Sequence, residues 1–364
     1  MVEEGQRRLY LKLTTAIARF IEGAGSDERF GELALALFTQ QSARFPALAR
    51  YAAARSRAPS DVSDWREIPP LPAAAFKYAT WHDGLSPVVR TFESSGTSGA
   101  PRSQSAFSTE GLALMDLAID AAAGRWLFPD GARSTLAVLA PSPDDAPAMI
   151  MAYGMRRLID RFGLPGSRFL VGPGGLETAS VLALLREAEL TGAPLTLIGA
   201  TFGFVHLLDG LRGRGERFTL PPGSRTLDAG GFKGRSRVVT REALSADLSA
   251  TFGVPEGRHV NLLGLTELAS QFYDGTLAGG GPRKQNAHWT RTRVLDPVTL
   301  TDARPGELGL LAHWDLANVE RPFAVLTDDL GRMYADGFVL VGRTGESDAK
   351  GCSITLDELL GGSR

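Results

Sequence analysis

The sequence predicts an α/β protein: a largely parallel sheet layered with helices, followed by a smaller β-rich region. Three observations carry this. From residue 88 onward, short apolar runs that end in proline, glycine or acidic turns alternate with longer runs of helical periodicity, the pattern of a layered α/β domain. From about residue 292 the apolar runs are short and separated only by turns, which predicts a strand-rich terminal subdomain. Ahead of both, residues 9 to 55 carry apolar residues at three- and four-residue intervals and predict a helical entry.

Taken in order, "LYLKLTTAIARFIEG" and "RFGELALALFTQQSARFPALARYAAARS" supply the entry helices, and "REIPPLPAAAFKYATW" is a proline-rich, irregular link. "STLAVLAPSP" is a strand stopped by proline. "LETASVLALLREAELTG" is a helix with Thr178 expected at its N-cap and Gly192 just past its end. "APLTLIGATF", "SRTLDAGGF" and "RHVNLLGLTE" are strands that each run into a small-residue or acidic turn, the place where open α/β sheets hold ligands. "TRVLDPVTL", "GELGLLAHWDL", "PFAVLTDDLG" and "GFVLVGRTG" make the terminal β region. The domain division expected from these shifts is 1–87, 88–290 and 291–364.

Composition narrows the function. The chain of 364 residues has a net charge of −2, so no long-range positive field recruits nucleic acid or anionic membrane. No apolar run approaches the length of a membrane span, and the acidic start "MVEEG" lacks the order of a secretory signal, so a cytoplasmic protein is expected. Assembly as a homo-oligomer is left open. The histidines at 82, 206, 259, 288 and 313 are scattered, which argues against a histidine-built metal site. Cys352 is the only cysteine, so an internal disulfide is excluded; by itself it reads equally as a small buried hydrophobe or a reactive thiol.

Four stretches carry candidate chemistry. "SSGTSGAPRS", residues 94–103, sits between a strand-like "VVRTF" and a helical "STEGLALMDLAIDAAA"; it is either a flexible linker or a turn that wraps a polyphosphate with backbone N–H groups and hydroxyls, to which Arg102 adds a charged contact. "GLTE" places Thr266 and Glu267 side by side after a strand, where one carboxylate plus nucleotide phosphates suffices for Mg²⁺; the alternative is an acidic residue favoured at a helix N-terminus. The aspartates of "VLTDDLG" either accept from ribose hydroxyls or simply form a turn. Arg343 either reaches the same nucleotide or is a surface arginine. Phe202, Phe204, His206 and Phe232 line an acyl channel or belong to the core.

In their order these segments resemble the adenylate-forming superfamily of acyl- and aryl-CoA synthetases and luciferase-like enzymes. Ser94, Ser95, Gly96, Thr97, Ser98 and Gly99 match its phosphate loop, with Arg102 where lysine is usual. The resemblance implies that Thr266 faces phosphate, Glu267 holds Mg²⁺, Gly230 and Gly231 of "DAGGFKG" stack on adenine, and Asp329 and Arg343 bind ribose. It also implies the fold, that of the superfamily's N-terminal domain. Full members continue into a mobile domain with a catalytic lysine; this sequence ends at Arg364, and that domain is expected to be absent.

"EIPPLPAAAFKYATW", "LTLIGATFGFVHLL", "LDAGGFKG", "TRVLDPVTL" and "AKGCSITLDE" are similar to the acyl-protein synthetase family. That resemblance implies ATP-dependent activation of a carboxylic acid, expected to be a fatty acid, with Cys352 as the acyl-accepting thiol and transfer onward to an acyl reductase or another acceptor protein. A cation such as Lys350 would lower the pKa of that thiol. Two readings compete with it: adenylation with direct transfer to CoA, a carrier-protein thiol or an amine, and a nucleotide-binding protein without catalysis.

Overall fold

A computed structural model of the chain describes residues 2–94, 101–230 and 239–344, with side chains from Glu4 onward. Three helices open it: α1 (Val2–Glu22), α2 (Asp27–Arg44) and α3 (Pro46–Ala53). The two-residue strand β1 (Leu71–Pro72) precedes β2 (Arg90–Glu93), β3 (Gln104–Phe107) and helix α4 (Thr109–Trp126). An alternating stretch follows: β4 (Thr135–Leu139), α5 (Ile150–Phe162), β5 (Arg168–Phe169), β6 (Val171–Gly172), β7 (Gly175–Leu176), α6 (Thr178–Thr191) and β8 (Leu195–Ala200). It continues through α7 (Thr201–Gly213), β9 (Arg225–Ala229), α8 (Arg241–Phe252) and β10 (His259–Leu263). Six strands complete the described chain: β11 (Phe272–Gly275), β12 (Gly281–Lys284), β13 (Thr290–Leu295), β14 (Gly309–Asp315), β15 (Ala324–Tyr334) and β16 (Gly337–Arg343).

These elements form two compact units. The first comprises Met1–Ala121, Leu265–Ser270 and Gln285–Arg364, and the second Ala122–Gly264 and Gln271–Lys284.

In the first unit, β13, β14, β15 and β16 pair antiparallel in sequence order, and β1 adds to β15 in parallel. Helix α2 starts at Ser26, whose hydroxyl accepts the Arg29 N–H at 3.1 Å, satisfying one of the N–H groups a helix start leaves free. Its apolar face buries Phe30, Leu33, Leu37 and Phe38, a three-four spacing that lines one side of a helix. Gln41, on the same helix, is fully engaged. Its Nε2 donates to the carbonyls of Asn318 (2.7 Å) and Arg321 (2.6 Å), and its Oε1 accepts the Phe323 N–H (3.1 Å). Beside it, Tyr10 donates to Glu320 Oε1 at 2.8 Å, and Ser108 N–H donates to Glu320 Oε2 at 3.0 Å.

In the second unit, β5, β4, β8, β9 and β10 run parallel, and β11 and β12 continue the sheet antiparallel. All six residues of β8 are buried, as expected for a parallel strand covered on both faces. Gly199 is required there: a Cβ would lie 2.7 Å from Leu139 Cβ and 2.9 Å from the Leu139 carbonyl. Leu185, Leu197, Phe204, Leu211 and Phe252 centre the core. Phe204 is therefore core, whereas Phe202 is half-buried and His206 exposed.

The α/β class and the β-rich region after 290 stand as the sequence predicts. Two local expectations do not. Glu177, not Thr178, occupies the N-cap of α6 and makes no side-chain cap bond; Thr178 is the first helical residue. Gly192 does end that helix, in the left-handed region at φ 73°. The candidate loop does not run directly from a strand into a helix: β3 intervenes, and β2 and β3 form an antiparallel hairpin around it. Among the described residues no helix is long and apolar enough to cross a membrane.

Candidate active site

The β2–β3 ladder closes with Glu93 opposite Gln104, and one more pair continues it. Ser94 N–H donates to the Ser103 carbonyl at 2.9 Å, and Ser103 N–H donates to Ser94 Oγ at 3.0 Å. The hairpin thus delivers a serine–serine pair to the mouth of the candidate loop, whose Ser95, Gly96, Thr97, Ser98 and Gly99 lie outside the described residues. Arg102 is exposed, and its guanidinium pairs with Glu93 at 3.5 Å. An exposed pair of this kind contributes less than about 1 kcal/mol, so the arginine is readily available to an anionic ligand.

Thr266 and Glu267 follow β10 in a turn; no helix begins there, so the helix-terminus alternative for Glu267 does not apply. Both are buried, Glu267 to 8% exposure. Burial pushes the Glu267 carboxyl above the usual carboxylate range; a hydrogen bond from Ser103, its own backbone N–H and the charge of Arg343 oppose this, and Asp329 adds to it. The turn is tied from below. Asn318 Nδ2 donates to the Glu267 carbonyl at 2.8 Å, and Asp315 Oδ2 accepts the N–H groups of Ala269 (2.9 Å) and Ser270 (2.7 Å).

Asp328 and Asp329 lie within β15, so they do not form a turn. Asp329 faces Arg343 across the β15–β16 ladder, and Arg343 Nε donates to its Oδ1 at 2.6 Å. Burial works against the Arg343 guanidinium, but Asp329, then Asp328 and Glu267, hold its pKa above the ordinary value. Arg343 is accordingly a paired residue rather than a free surface arginine. Ser94, Ser103, Glu267, Asp329 and Arg343 all belong to the first unit. Hydrogen bonds join Ser94 to Ser103 and Ser103 to Glu267, and the Glu267 carboxyl lies within electrostatic reach of the Asp329–Arg343 pair.

This donor set fits a cation shared with a nucleotide. Among the described residues no group of three or more His, Cys, Asp or Glu side chains is arranged to hold a metal. One buried carboxylate beside a loop mouth instead suits an ion whose remaining ligands are phosphate oxygens and water.

Gly230 belongs to the second unit. It follows β9 in the left-handed region at φ 78°, and its carbonyl accepts the Thr201 hydroxyl at 2.9 Å. A buried network underlies this turn. Thr201 also donates to Asp228 Oδ2 (2.8 Å), Asn261 Nδ2 donates to the same oxygen (2.9 Å), and Lys284 Nζ donates to the Asn261 carbonyl (2.6 Å). Burial pushes the Asp228 carboxyl up, against the hydrogen bonds from Thr201 and Asn261 and the charge of Lys284. Gly231, Phe232, Lys350 and Cys352 lie outside the described residues.

Asp315, Asn318 and Lys284 escape sequence reasoning. The one signal for Asp315 and Asn318 is the cluster of polar residues in "WDLANVER", which follows an otherwise apolar strand and where burial forces each polar group to find a partner; Lys284 carries none.

Comparison with known proteins bears on this arrangement. A family model described as "Acyl-protein synthetase, LuxE" matches residues 53–361. The chain is 23% identical over 307 residues to the long-chain-fatty-acid--luciferin-component ligase of Vibrio harveyi, covering 82% of this chain and 79% of that one. It is also 23% identical over 269 residues to the protein of the same description from Aliivibrio fischeri, covering 73% and 69%. Its fold is similar to a crystal structure of an open conformation of 2-hydroxyisobutyryl-CoA ligase in complex with 2-HIB-AMP and CoA. The TM-score is 0.62 at 15% identity, over 89% of this chain and 77% of the other.

Proposed function

Because the chain belongs to the acyl-protein synthetase family, we propose that it uses ATP to activate a long-chain fatty acid as acyl-AMP and then carries the acyl group on Cys352. The long-chain acid is taken from the description of the Vibrio and Aliivibrio relatives. The onward acceptor is a partner protein, and an acyl reductase is the class suited to a thioester donor.

In the first step a carboxylate oxygen attacks the α-phosphorus of ATP. The bond from that phosphorus to the bridging oxygen breaks, and pyrophosphate leaves with the electron pair. The loop that starts at Ser94 holds the phosphates through N–H groups and hydroxyls, and Arg102 leaves its weak pair with Glu93 to meet them. Mg²⁺, when bound, neutralises charge on the phosphates and so favours departure of pyrophosphate. Glu267 provides the protein's carboxylate for it, Thr266 lies alongside toward the phosphate, and Asp329 with Arg343 holds the ribose. Gly230 and Gly231 are the residues assigned to adenine in this reading.

In the second step the Cys352 thiolate attacks the acyl carbon. The bond to the phosphate oxygen breaks, AMP departs, and the proton lost in forming the thiolate passes to solvent. A carboxylate is a poor acyl donor because oxide is a poor leaving group; a phosphate ester oxygen is a good one, and a thiolate is the strongest side-chain nucleophile available.

The observation that supports this reading is that Ser94, Ser103, Glu267, Asp329 and Arg343, drawn from three segments between residues 94 and 343, lie in one unit. The two steps are separable by experiment. With labelled fatty acid and ATP, Cys352→Ser is expected to keep acid-dependent pyrophosphate exchange and to lose the thioester-labile label on the protein. Unchanged labelling of the variant would refute the role of the cysteine.

A further inference from the structure

Two buried side chains outside the nucleotide-facing set converge on the turn that bears Thr266 and Glu267. Asp315 ends β14 and is fully buried. Its Oδ2 accepts the N–H groups of Ala269 at 2.9 Å and Ser270 at 2.7 Å, and its Oδ1 accepts the Ser270 hydroxyl at 2.7 Å and the Ala317 N–H at 3.0 Å. Ser270 in turn accepts the Trp289 indole N–H at 2.9 Å. Asn318, also fully buried, donates from Nδ2 to the Glu267 carbonyl at 2.8 Å and to the Pro322 carbonyl at 3.3 Å. Its own amide oxygen is fixed by Arg321 Nη2 at 2.8 Å, and its carbonyl by Gln41 Nε2 at 2.7 Å.

Among the described residues the turn itself contributes one backbone–backbone hydrogen bond, Leu268 N–H to the Leu265 carbonyl at 3.2 Å. Left to that bond, six residues of backbone would sample many conformations. A carboxylate accepting several N–H and O–H donors in a buried setting is among the stronger and more directional anchors available to a protein. Asp315 holds the exit of the turn and Asn318 holds Glu267 at its backbone, so the two fix the direction in which the Glu267 carboxylate leaves the chain.

We propose that Asp315 and Asn318 are positioning residues for the metal-holding function of Glu267. The inference rests on the reading of Glu267 given above. Substitution of residues that orient a metal ligand typically weakens metal affinity by about ten- to a hundred-fold, and the same range is expected here.

The test measures binding of Mn²⁺ to protein saturated with a non-hydrolysable ATP analogue, by the electron paramagnetic resonance signal of free Mn²⁺. The proteins compared are the wild type, Glu267→Gln, Asn318→Ala, Asp315→Asn and Ser270→Ala. Tyr51→Phe serves as a control, since it removes a partly buried bond to the Pro70 carbonyl within the same unit and involves no residue of the turn. Asn318→Ala and Asp315→Asn are expected to weaken Mn²⁺ binding by about ten- to a hundred-fold, while affinity for the analogue in EDTA is unchanged. Tyr51→Phe should bind Mn²⁺ as the wild type does. Should Asp315→Asn not fold, Ser270→Ala tests the same anchor with one donor removed. If Glu267→Gln loses Mn²⁺ affinity while Asn318→Ala and Ser270→Ala keep it, the positioning role is wrong. If Glu267→Gln itself binds Mn²⁺ like the wild type, the reading of Glu267 fails, and this inference with it.

Discussion

Lys284→Met tests how the turn at Gly230 is supported. Lys284 is 3% exposed, and its amine donates to the Asn261 carbonyl at 2.6 Å and to Asn261 Oδ1. Burial lowers its pKa from 10.5 to about 7; Asp274 and Asp228 oppose this, and Arg241 reinforces it. Between those two values the folded protein has released the proton while the unfolded chain still holds it. The unfolded state then binds more protons, so stability rises with pH through this window at a slope approaching 1.4 kcal/mol per pH unit. From pH 7.5 to 9.5 the lysine should therefore add about 2.5 kcal/mol. Methionine fills similar space without a proton, and Lys284→Met should lack that increment. Urea denaturation of both proteins at pH 7.5, 8.5 and 9.5 measures it, because groups common to both cancel in the difference. Parallel pH dependences would show that Lys284 titrates normally and that the network is not buried as described.

Asp83 gives the opposite slope. Burial raises its carboxyl pKa from 3.8 to about 6, so stability falls as pH rises from about 4 to 6, by about 3 kcal/mol if fully expressed; Asp83→Asn should flatten that limb of an acid-denaturation series. Gly111 sits in the first turn of α4 against the Glu320 carboxylate, where a Cβ would collide with Oε2 and lie 2.7 Å from Cδ. Helix propensity alone predicts that Gly111→Ala stabilises by about 1 kcal/mol. The collision, which displaces Glu320 from Tyr10 and Ser108, predicts a loss of about 2–3 kcal/mol, and the sign of the change in Tm decides between them.

The strands that bear candidate chemistry were legible because each is an apolar run broken by a small or acidic turn: Leu195–Ala200, Arg225–Ala229 and His259–Leu263 all lie where the pattern puts them. β3 was not. "QSAF" is four residues long with two polar members, and only its pairing with β2 makes it a strand. The missed N-cap at Glu177 has the same origin, since a cap is defined by backbone geometry that Thr178, a residue typical of caps, does not itself fix. At the site, Ser94, Glu267, Asp329 and Arg343 carry recognisable local motifs. Asp315 and Asn318 carry none, because they act on backbone carbonyls and N–H groups of a segment some 50 residues away. Such partnerships are written in the tertiary structure alone.

The clasp between the first helices and the β14–β15 connection has a consequence for synthesis. Tyr10 and Glu320 are 310 residues apart, and Gln41 waits for Asn318, Arg321 and Phe323. Chains emerge from the ribosome N-terminus first and their domains tend to fold as units. The strands from β4 to β12 are complete while Tyr10 and Gln41 still lack these late partners. The nascent protein therefore keeps its oldest segment waiting longest, and any truncation before Phe323 leaves that segment without its closing bonds. Chaperone engagement during translation should concentrate on residues 9–53 and end when the segment around 318–323 has cleared the exit tunnel.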